Sequence, residues 1–518
     1  MTSRQKRNPS RRARCPTGDE CRRTDLPGFI PGKSIKFKKG DPVGPVQWGE
    51  KTIMLGKIAI EAIEKERAAL DKIRLDMWHN PEVAFLEKNA SEWVAEYMEK
   101  QGFKVERNVS GMPTAVKATW GHGKPVIGLL GELDALPGMS QKVATHREAV
   151  VEGGAGQGCG HNLLCVAHIG AAIGLKAELE ASGKEGTIVY YGCPAEEVLT
   201  GKGFMARGGA FDELDMSIAF HSGTTNEVDL KGGLALNSAE FKFKGITAHA
   251  GGDPYNGRSA LDAVELMNVG ANYLREHVKS DVRIHYVITN GGMAPNIVPD
   301  RASVWYYVRA PKRDDVVQVY DRLVKVAKGA AMMTETEVEI DFKGGCYEST
   351  MNHVFADELQ KVMAKCPRDP WTEEEKAWAK EINKTTGAIY ENYVASQGGE
   401  DKAEQLHDHV YELTSVGHFG STDVGDVQHI CPGISLTTAC YPICAPGHSW
   451  QITASTGSSI GEKGSTFAAR VMALFGLEVI ERPEILEKAK VEFDQMMGGK
   501  KYECPIPADL PVPHADEF

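Results

Sequence analysis

The sequence predicts an α/β protein with a second, α+β domain inserted into it. Three observations lead there. Short apolar runs of strand length alternate with helical patterns, ionisable residues gather where those runs end, and between about Asn237 and Cys346 the order becomes β-α-β-β-α-β. The chain has 518 residues, 42% of them hydrophobic, enough to bury a large core in two or three domains. A formal net charge of -12 disfavours polyanion binding by the folded body, so no nucleic-acid partner is expected. No run of about 18 apolar residues reads as a membrane span, and no membrane partner is expected. The 11 cysteines are odd in number and lack dense spacing, which does not describe a disulfide framework.

Residues 1–40, with RQKRNPSRRAR and CRR, are basic, rich in turn formers and poor in apolar residues, and read as a mobile tail. They lack the apolar core of a secretory signal, and the cytoplasm is the expected compartment. The α/β domain is expected over 41–236 and again over 347–518, with the insertion over 237–346. From Met54 to Met77, and again in ASEWVAEYMEKQG, apolar residues recur at helical spacing. PVIGLLGELDALPG is a buried strand that ends in a Pro137-Gly138 loop, and TIVYYGCPAEE, MSIAFH and ISLTTACYP repeat that design. CVAHIGAAIGLKAELEA supplies a connecting helix, as a largely parallel sheet requires. Within the insertion, EFKFKGI, RIHYVIT, ASVWYYVRA and EVEIDF are strands, while RSALDAVELMNVGANYLREHV and VVQVYDRLVKVAKGAAMM are helices. The first region's chemistry resumes at HFGSTDVGD and APGHSW. Before it, PRDPWTEEEKAWAKEINK is expected to be a helix with a solvated, charged face.

In an open parallel sheet, ligands gather beyond the carboxyl ends of the strands. Asp134 ends one predicted strand, Glu196 and Glu197 another and His221 a third, while His448 follows the last after a turn. Cys159 and His161 lie in the glycine-rich GQGCGHN that precedes a helix. Each alone has an ordinary structural explanation, but together they offer a thiolate, three imidazoles and a carboxylate as ligands, with a second carboxylate left over besides Asp134. Two divalent ions need about three protein ligands each if one position stays open to water. Adjacent carboxylates suit a division of labour, one binding metal and its neighbour accepting a proton.

With GELDALPG, GCGHN, PAEE, AFH, GITAHAG, GRSALDA, GGMAPNIVPD, GSTDVGD and GHSWQ in order from Gly131 to Gln451, the sequence resembles the two-metal carboxypeptidase, aminoacylase and amidohydrolase superfamily, in its amidohydrolase branch. The resemblance implies a three-layer, zinc-peptidase-like catalytic domain with a ferredoxin-like lid and dimerisation domain. It implies two divalent ions, zinc or manganese, bridged by Cys159, with Glu197 and His448 completing one and His161 and His221 the other. Glu196 would be the general base and Asp134 would orient the site. Glu132 stands where carboxypeptidases carry a metal-binding His, and His161 would replace that ligand. The glycines Gly156, Gly158 and Gly160 would let the backbone turn tightly around the ions. From the lid, His249 would stabilise the anionic tetrahedral intermediate, commonly in the partner subunit of a homodimer, and Asn296 and Arg258 would hold a substrate carboxylate. The implied reaction is hydrolysis of the amide of an N-acyl or N-aroyl amino acid, such as a p-aminobenzoyl-glutamate-like conjugate, or alternatively of a small dipeptide. A non-catalytic homologue that only binds a ligand is the contrasting expectation, and it would be expected to have lost at least one ligand.

Overall fold

The computed structural model describes residues 56–230, 232–413 and 420–513. The tail expected over 1–40, and His418 and Phe419 of HFGSTDVGD, lie outside the described residues.

Helices Lys57–His79 and Lys88–Lys100 precede a seven-stranded sheet. Its strands are β1 (Lys104–Arg107), β2 (Val116–His122), β3 (Val126–Glu132), β4 (Gly186–Cys193), β5 (Met216–Gly223), β6 (Glu227–Asp229) and, much later in the chain, β11 (Gly433–Ala439). The spatial order is β1-β2-β4-β3-β5-β11-β6. The four central strands β4, β3, β5 and β11 are parallel, and antiparallel pairs flank them. Every residue of β3 is buried, as expected of a strand covered on both faces, which explains its unbroken apolar run. The chain leaves β3 for β4 on one side and then reaches β5 on the other. The strand order therefore reverses at β3, and a crevice forms beyond the carboxyl ends of the strands.

Helix His161–Ser182 packs across this sheet beneath Lys57–His79 and Ser459–Glu481. Gly170 and Gly174 permit the approach: a Cβ at Gly170 would lie 3.0 Å from Ala469 Cβ, and one at Gly174 3.0 Å from Ile63 Cδ1. Around them Ile63, Leu163, Ile169 and Leu175 are excluded from water, each contributing about 1.5–3 kcal/mol of burial. This helix corrects one expectation. It is long and apolar enough to cross a membrane by length and composition, yet 89% of its apolar window is buried within the fold, as in a core helix.

The inserted block forms a four-stranded antiparallel sheet of β7 (Ala235–Lys244), β8 (Arg283–Asn290), β9 (Arg301–Ala310) and β10 (Glu337–Cys346), in the order β10-β7-β9-β8. Helices Ala260–Leu274 and Arg313–Thr334 cover one face. The period-two pattern read in EFKFKGI is real: Phe241 and Phe243 are buried with Val304, Tyr306 and Val308 of β9. The mixed α/β domain with a separate ferredoxin-like lid is thus the architecture of the chain.

The charged segment departs from expectation. Helix Glu373–Lys384 begins at a Thr372–Glu375 capping box and buries Glu375, Ala379, Ile382 and Asn383. Ala379 packs with Leu406 and Ile460, flanked by Trp371 and Trp378, so the helix is amphipathic and only its opposite face is solvated.

Candidate metal centre

The expected donors come together beyond the carboxyl ends of the parallel strands. Asp134 follows β3, Glu196 and Glu197 follow β4, His221 lies near the end of β5, and His448 follows β11. Cys159 and His161 sit at the start of the core helix, whose N-cap Gly160 has φ +89°. A side chain at Gly160 would meet Ser222 Oγ at 2.5 Å, and one at Gly156 would meet the Met139 carbonyl oxygen at 2.1 Å. The tight turn expected of this loop therefore depends on glycine at both positions. Ala195, Leu199 and His448 all adopt positive φ, so strained backbone concentrates around the donors.

Two donor triads share the thiol: Cys159 with His161 and His221, and Cys159 with Glu197 and His448, the donor atoms of each lying within 4.8 Å of one another. Cys159 Sγ is 3.4 Å from His221 Nε2, and His448 Nε2 is 3.7 Å from Glu197 Oε2. His161 turns Nδ1 to Asp134 Oδ1 at 3.1 Å, which leaves Nε2 facing the other donors. The second oxygen of Asp134 accepts the Glu197 backbone N–H at 2.9 Å. Asp134 therefore fixes one imidazole and the strand-end turn at once, as a carboxylate behind a metal-binding His does. Glu196 Oε2 lies 3.8 Å from His161 Nε2.

The donor set fits divalent cations. Glu197 Oε1 is buried with no hydrogen-bond partner, while His161 Nε2 and Glu132 Oε2, also buried, lie 3.2 Å apart without forming a hydrogen bond. Burial, reinforced by the Glu197 carboxylate, pushes the Cys159 thiol well up, and a thiolate there needs neighbouring positive charge. Burial also raises Glu197, to about 7, against the opposing pull of His161, and it raises Glu196, reinforced by Glu132 and Asp423. Burial lowers His221 and His448, favouring the neutral imidazoles that bind metal. For His161 burial works in the same direction but is outweighed by Cys159, Glu132 and Asp134, which hold its pKa high. Clustered anionic donors with unpartnered atoms are what two cations would balance.

Sequence reasoning missed three supports. Lys202 is fully buried, its Nζ 2.7 Å from Glu132 Oε1 and 2.6 Å from Asp423 Oδ1. Burial alone would raise Glu132, but Lys202, then His161 and His221, hold it at about 2. Glu132 is thus tied into a buried ion network where the carboxypeptidases place a metal ligand. Removing one partner of such a network typically costs about 3–5 kcal/mol. Glu87 is the third: its Oε1 accepts the backbone N–H groups of Phe85 and Ala195, each at 2.9 Å, and its Oε2 accepts Thr114 Oγ1–H at 2.9 Å. It pins the strained Ala195 that precedes Glu196.

The lid residues form their hydrogen bonds within the lid. His249 is exposed, and its Nδ1 accepts the Gly251 and Gly252 N–H groups at 3.1 and 2.9 Å, which makes Nε2 the protonated nitrogen. Asn296 is exposed on the neighbouring segment, where its carbonyl accepts the Ala250 N–H at 3.0 Å. Arg258 donates from Nε to Glu335 Oε2 at 2.6 Å and from Nη1 to the Gly257 carbonyl at 2.8 Å, so in this chain it pairs locally.

Two donor triads with a common cysteine sulfur, and a second carboxylate beside them, are the donor set of a two-metal hydrolase. Comparison with known proteins agrees. Residues 234–332 match the peptidase dimerisation domain model. One of the subunits of the Escherichia coli p-aminobenzoyl-glutamate hydrolase is 39% identical over 466 residues, covering 87% of this chain and 97% of that protein. Human Xaa-Arg dipeptidase is 27% identical over 464 residues, covering 85% of this chain and 92% of that one. The fold is shared with an aminobenzoyl-glutamate utilization protein from Klebsiella pneumoniae, at TM-score 0.56 and 18% identity over 82% of this chain and 99% of that one. It is also shared with a dinuclear metal-binding peptidase of the M20 family from Bacillus subtilis, at TM-score 0.52 and 17% identity over 81% of this chain and 99% of that one. The chain belongs to the M20 family of peptidases and amidohydrolases, and it is a metal-dependent amidohydrolase.

Proposed function

We propose that the protein hydrolyses the amide bond of N-acyl or N-aroyl amino acids, with p-aminobenzoyl-glutamate as the reference substrate. The observation that carries this reading is the pair of donor triads meeting at Cys159 with Glu196 held beside them. Cys159, His161 and His221 would hold one divalent ion, and Cys159, Glu197 and His448 the other. The thiolate favours zinc, and manganese is the alternative. When bound, the ions supply Lewis acidity toward the amide carbonyl and lower the pKa of water at the site.

The remaining chemistry is carried by side chains. Glu196 takes the proton of the attacking water and hands it to the departing amine nitrogen, a transfer suited to a carboxylate whose affinity for protons is raised by burial. Asp134 keeps His161 and the Glu197 turn in register. His249 donates from Nε2 to the carbonyl oxygen as negative charge develops there. Arg258, exchanging the exposed Glu335 for a substrate carboxylate, and Asn296 hold the amino-acid end.

His249 reaches the reacting centre of a partner subunit in this reading, and the lid has the surface for a homodimer. Edge strand β8 exposes Tyr286, Val287 and Ile288, and the covering helix exposes Leu266, Val269 and Tyr273 along one side. All nine cysteines among the described residues are free thiols, which supports a reducing, cytoplasmic setting.

His249→Ala is expected to keep its metals and lower kcat by about 10²–10³, the usual effect of removing one oxyanion donor. Mixing the inactive His249→Ala and Glu196→Ala proteins under conditions of subunit exchange should restore activity, because a mixed dimer contains one site with both groups. No recovery despite demonstrated exchange would assign His249 to its own chain or to no site. The reaction itself is tested with p-aminobenzoyl-glutamate, other N-acyl amino acids and X-Arg dipeptides. Selective turnover of dipeptides would move the substrate class to that of the dipeptidase relatives.

A further inference from the structure

Away from the centre, a second group of donors lies in QLHDHVY. The His407 and His409 rings meet edge to face with centroids 5.2 Å apart, while Asp408 turns toward Arg368, 3.8 Å away. Glu404 Oε2 lies 3.5 Å from His407 Nδ1 and 3.7 Å from His409 Nδ1. All three donor atoms fall within 4.8 Å of one another. The first two separations exceed the usual length of an N–H···O hydrogen bond, about 2.7–3.2 Å. They approach the spacing of neighbouring ligands around tetrahedral zinc, about 3.3–3.4 Å for bonds of about 2.0–2.1 Å.

The surroundings hold these donors in place. Tyr411 OH lies 3.0 Å from His407 Nε2 and 3.4 Å from Nδ1 of the same imidazole, and the two rings pack edge to face with centroids 4.9 Å apart, which fixes the ring beside Glu404. The Trp371 indole N–H donates to the His407 carbonyl at 3.0 Å, the Asn226 side-chain amide to the His409 carbonyl at 3.2 Å, and the Tyr411 N–H to the Asn226 carbonyl at 2.8 Å. The loop is therefore pinned on both sides of the donors. His407 is nearly covered, with 10% of its side chain exposed, whereas Glu404 and His409 are each 51% exposed, so an ion here would keep a position open to water.

We propose that Glu404, His407 and His409 form a third divalent-metal site, separate from the catalytic pair, selective for a zinc-class ion. Two imidazoles and one carboxylate favour zinc, nickel or copper over magnesium and calcium, which prefer oxygen donors. The ion would close the 404–409 loop on itself beside Trp371 and Asn226, and its role is structural.

The test uses the full chain with zinc as the probe. Metal-stripped protein is equilibrated with excess zinc and passed through a desalting column, and bound zinc is counted. Wild type should retain three equivalents per chain and His409→Ala two, with turnover unchanged. In a Cys159→Ala background, which removes the donor common to both catalytic triads, the equivalent that remains should disappear with His409→Ala or Glu404→Gln. Cobalt substitution gives an independent reading, since visible absorption from the third site should be lost only in the variants of this loop. Equal zinc and identical cobalt spectra in wild type and His409→Ala would overturn the proposal, as would loss of turnover in His409→Ala with its zinc count unchanged.

Discussion

Glu196→Gln is expected to fold, to retain the same metal content as wild type and to lose about 10²–10⁴ in kcat. The substitution keeps the size of a residue that is only 7% exposed, so packing is preserved while the ability to accept a proton is removed. Burial, reinforced by Glu132 and Asp423, raises the proton affinity of Glu196, the property required of a group that must take a proton and return it. Glu197→Gln is the control. Its Oε1 is buried without a hydrogen-bond partner and its Oε2 faces His448, so the amide should weaken metal binding as well as turnover. Metal analysis beside initial rates separates the two, and the reverse pattern would exchange the roles of these neighbours.

Cys159→Ala should be still more damaging, because its sulfur belongs to both donor triads. In the proposed site its removal would take a ligand from each ion, whereas His448→Ala would take a ligand from one. The expected result is loss of both catalytic ions and background activity in Cys159→Ala, against retention of one of them in His448→Ala. The thiol has no other evident duty, since it is a free cysteine at the entrance to a helix. Atomic absorption on the two variants after identical zinc loading distinguishes these outcomes. Two catalytic ions retained by Cys159→Ala would show that the sulfur bridges nothing.

Both expectations were within reach of the sequence because the chemistry sits at strand ends. PAEE follows β4, AFH lies near the end of β5 and GCGHN opens the core helix, so residue type and position in an apolar run together locate each donor. The inserted sheet was legible for a related reason, since alternation in β7 and periodicity in its two helices are local patterns. Lys202 was not legible. Flanked by glycines in GKGF it reads as a solvated turn, and only the fold reveals that it is fully buried between Glu132 and Asp423. The unusual Glu132 in GELD was a signal that some buried cation must answer it, but tertiary contact alone says which. Glu375 and Asn383 were hidden in the same way: a high charge density obscured the apolar side that Ala379 and Ile382 give to helix Glu373–Lys384.

The most direct test of a two-metal amidohydrolase is a metal titration of chelator-treated Cys159→Ala and wild-type protein, following p-aminobenzoate release from p-aminobenzoyl-glutamate with zinc and with manganese. The account predicts no hydrolysis by stripped wild type, with activity returning as the two catalytic positions fill. Cys159→Ala should remain inactive throughout. Hydrolysis by stripped wild type at the rate of the reconstituted protein, or a Cys159→Ala titration that matches wild type, would contradict it.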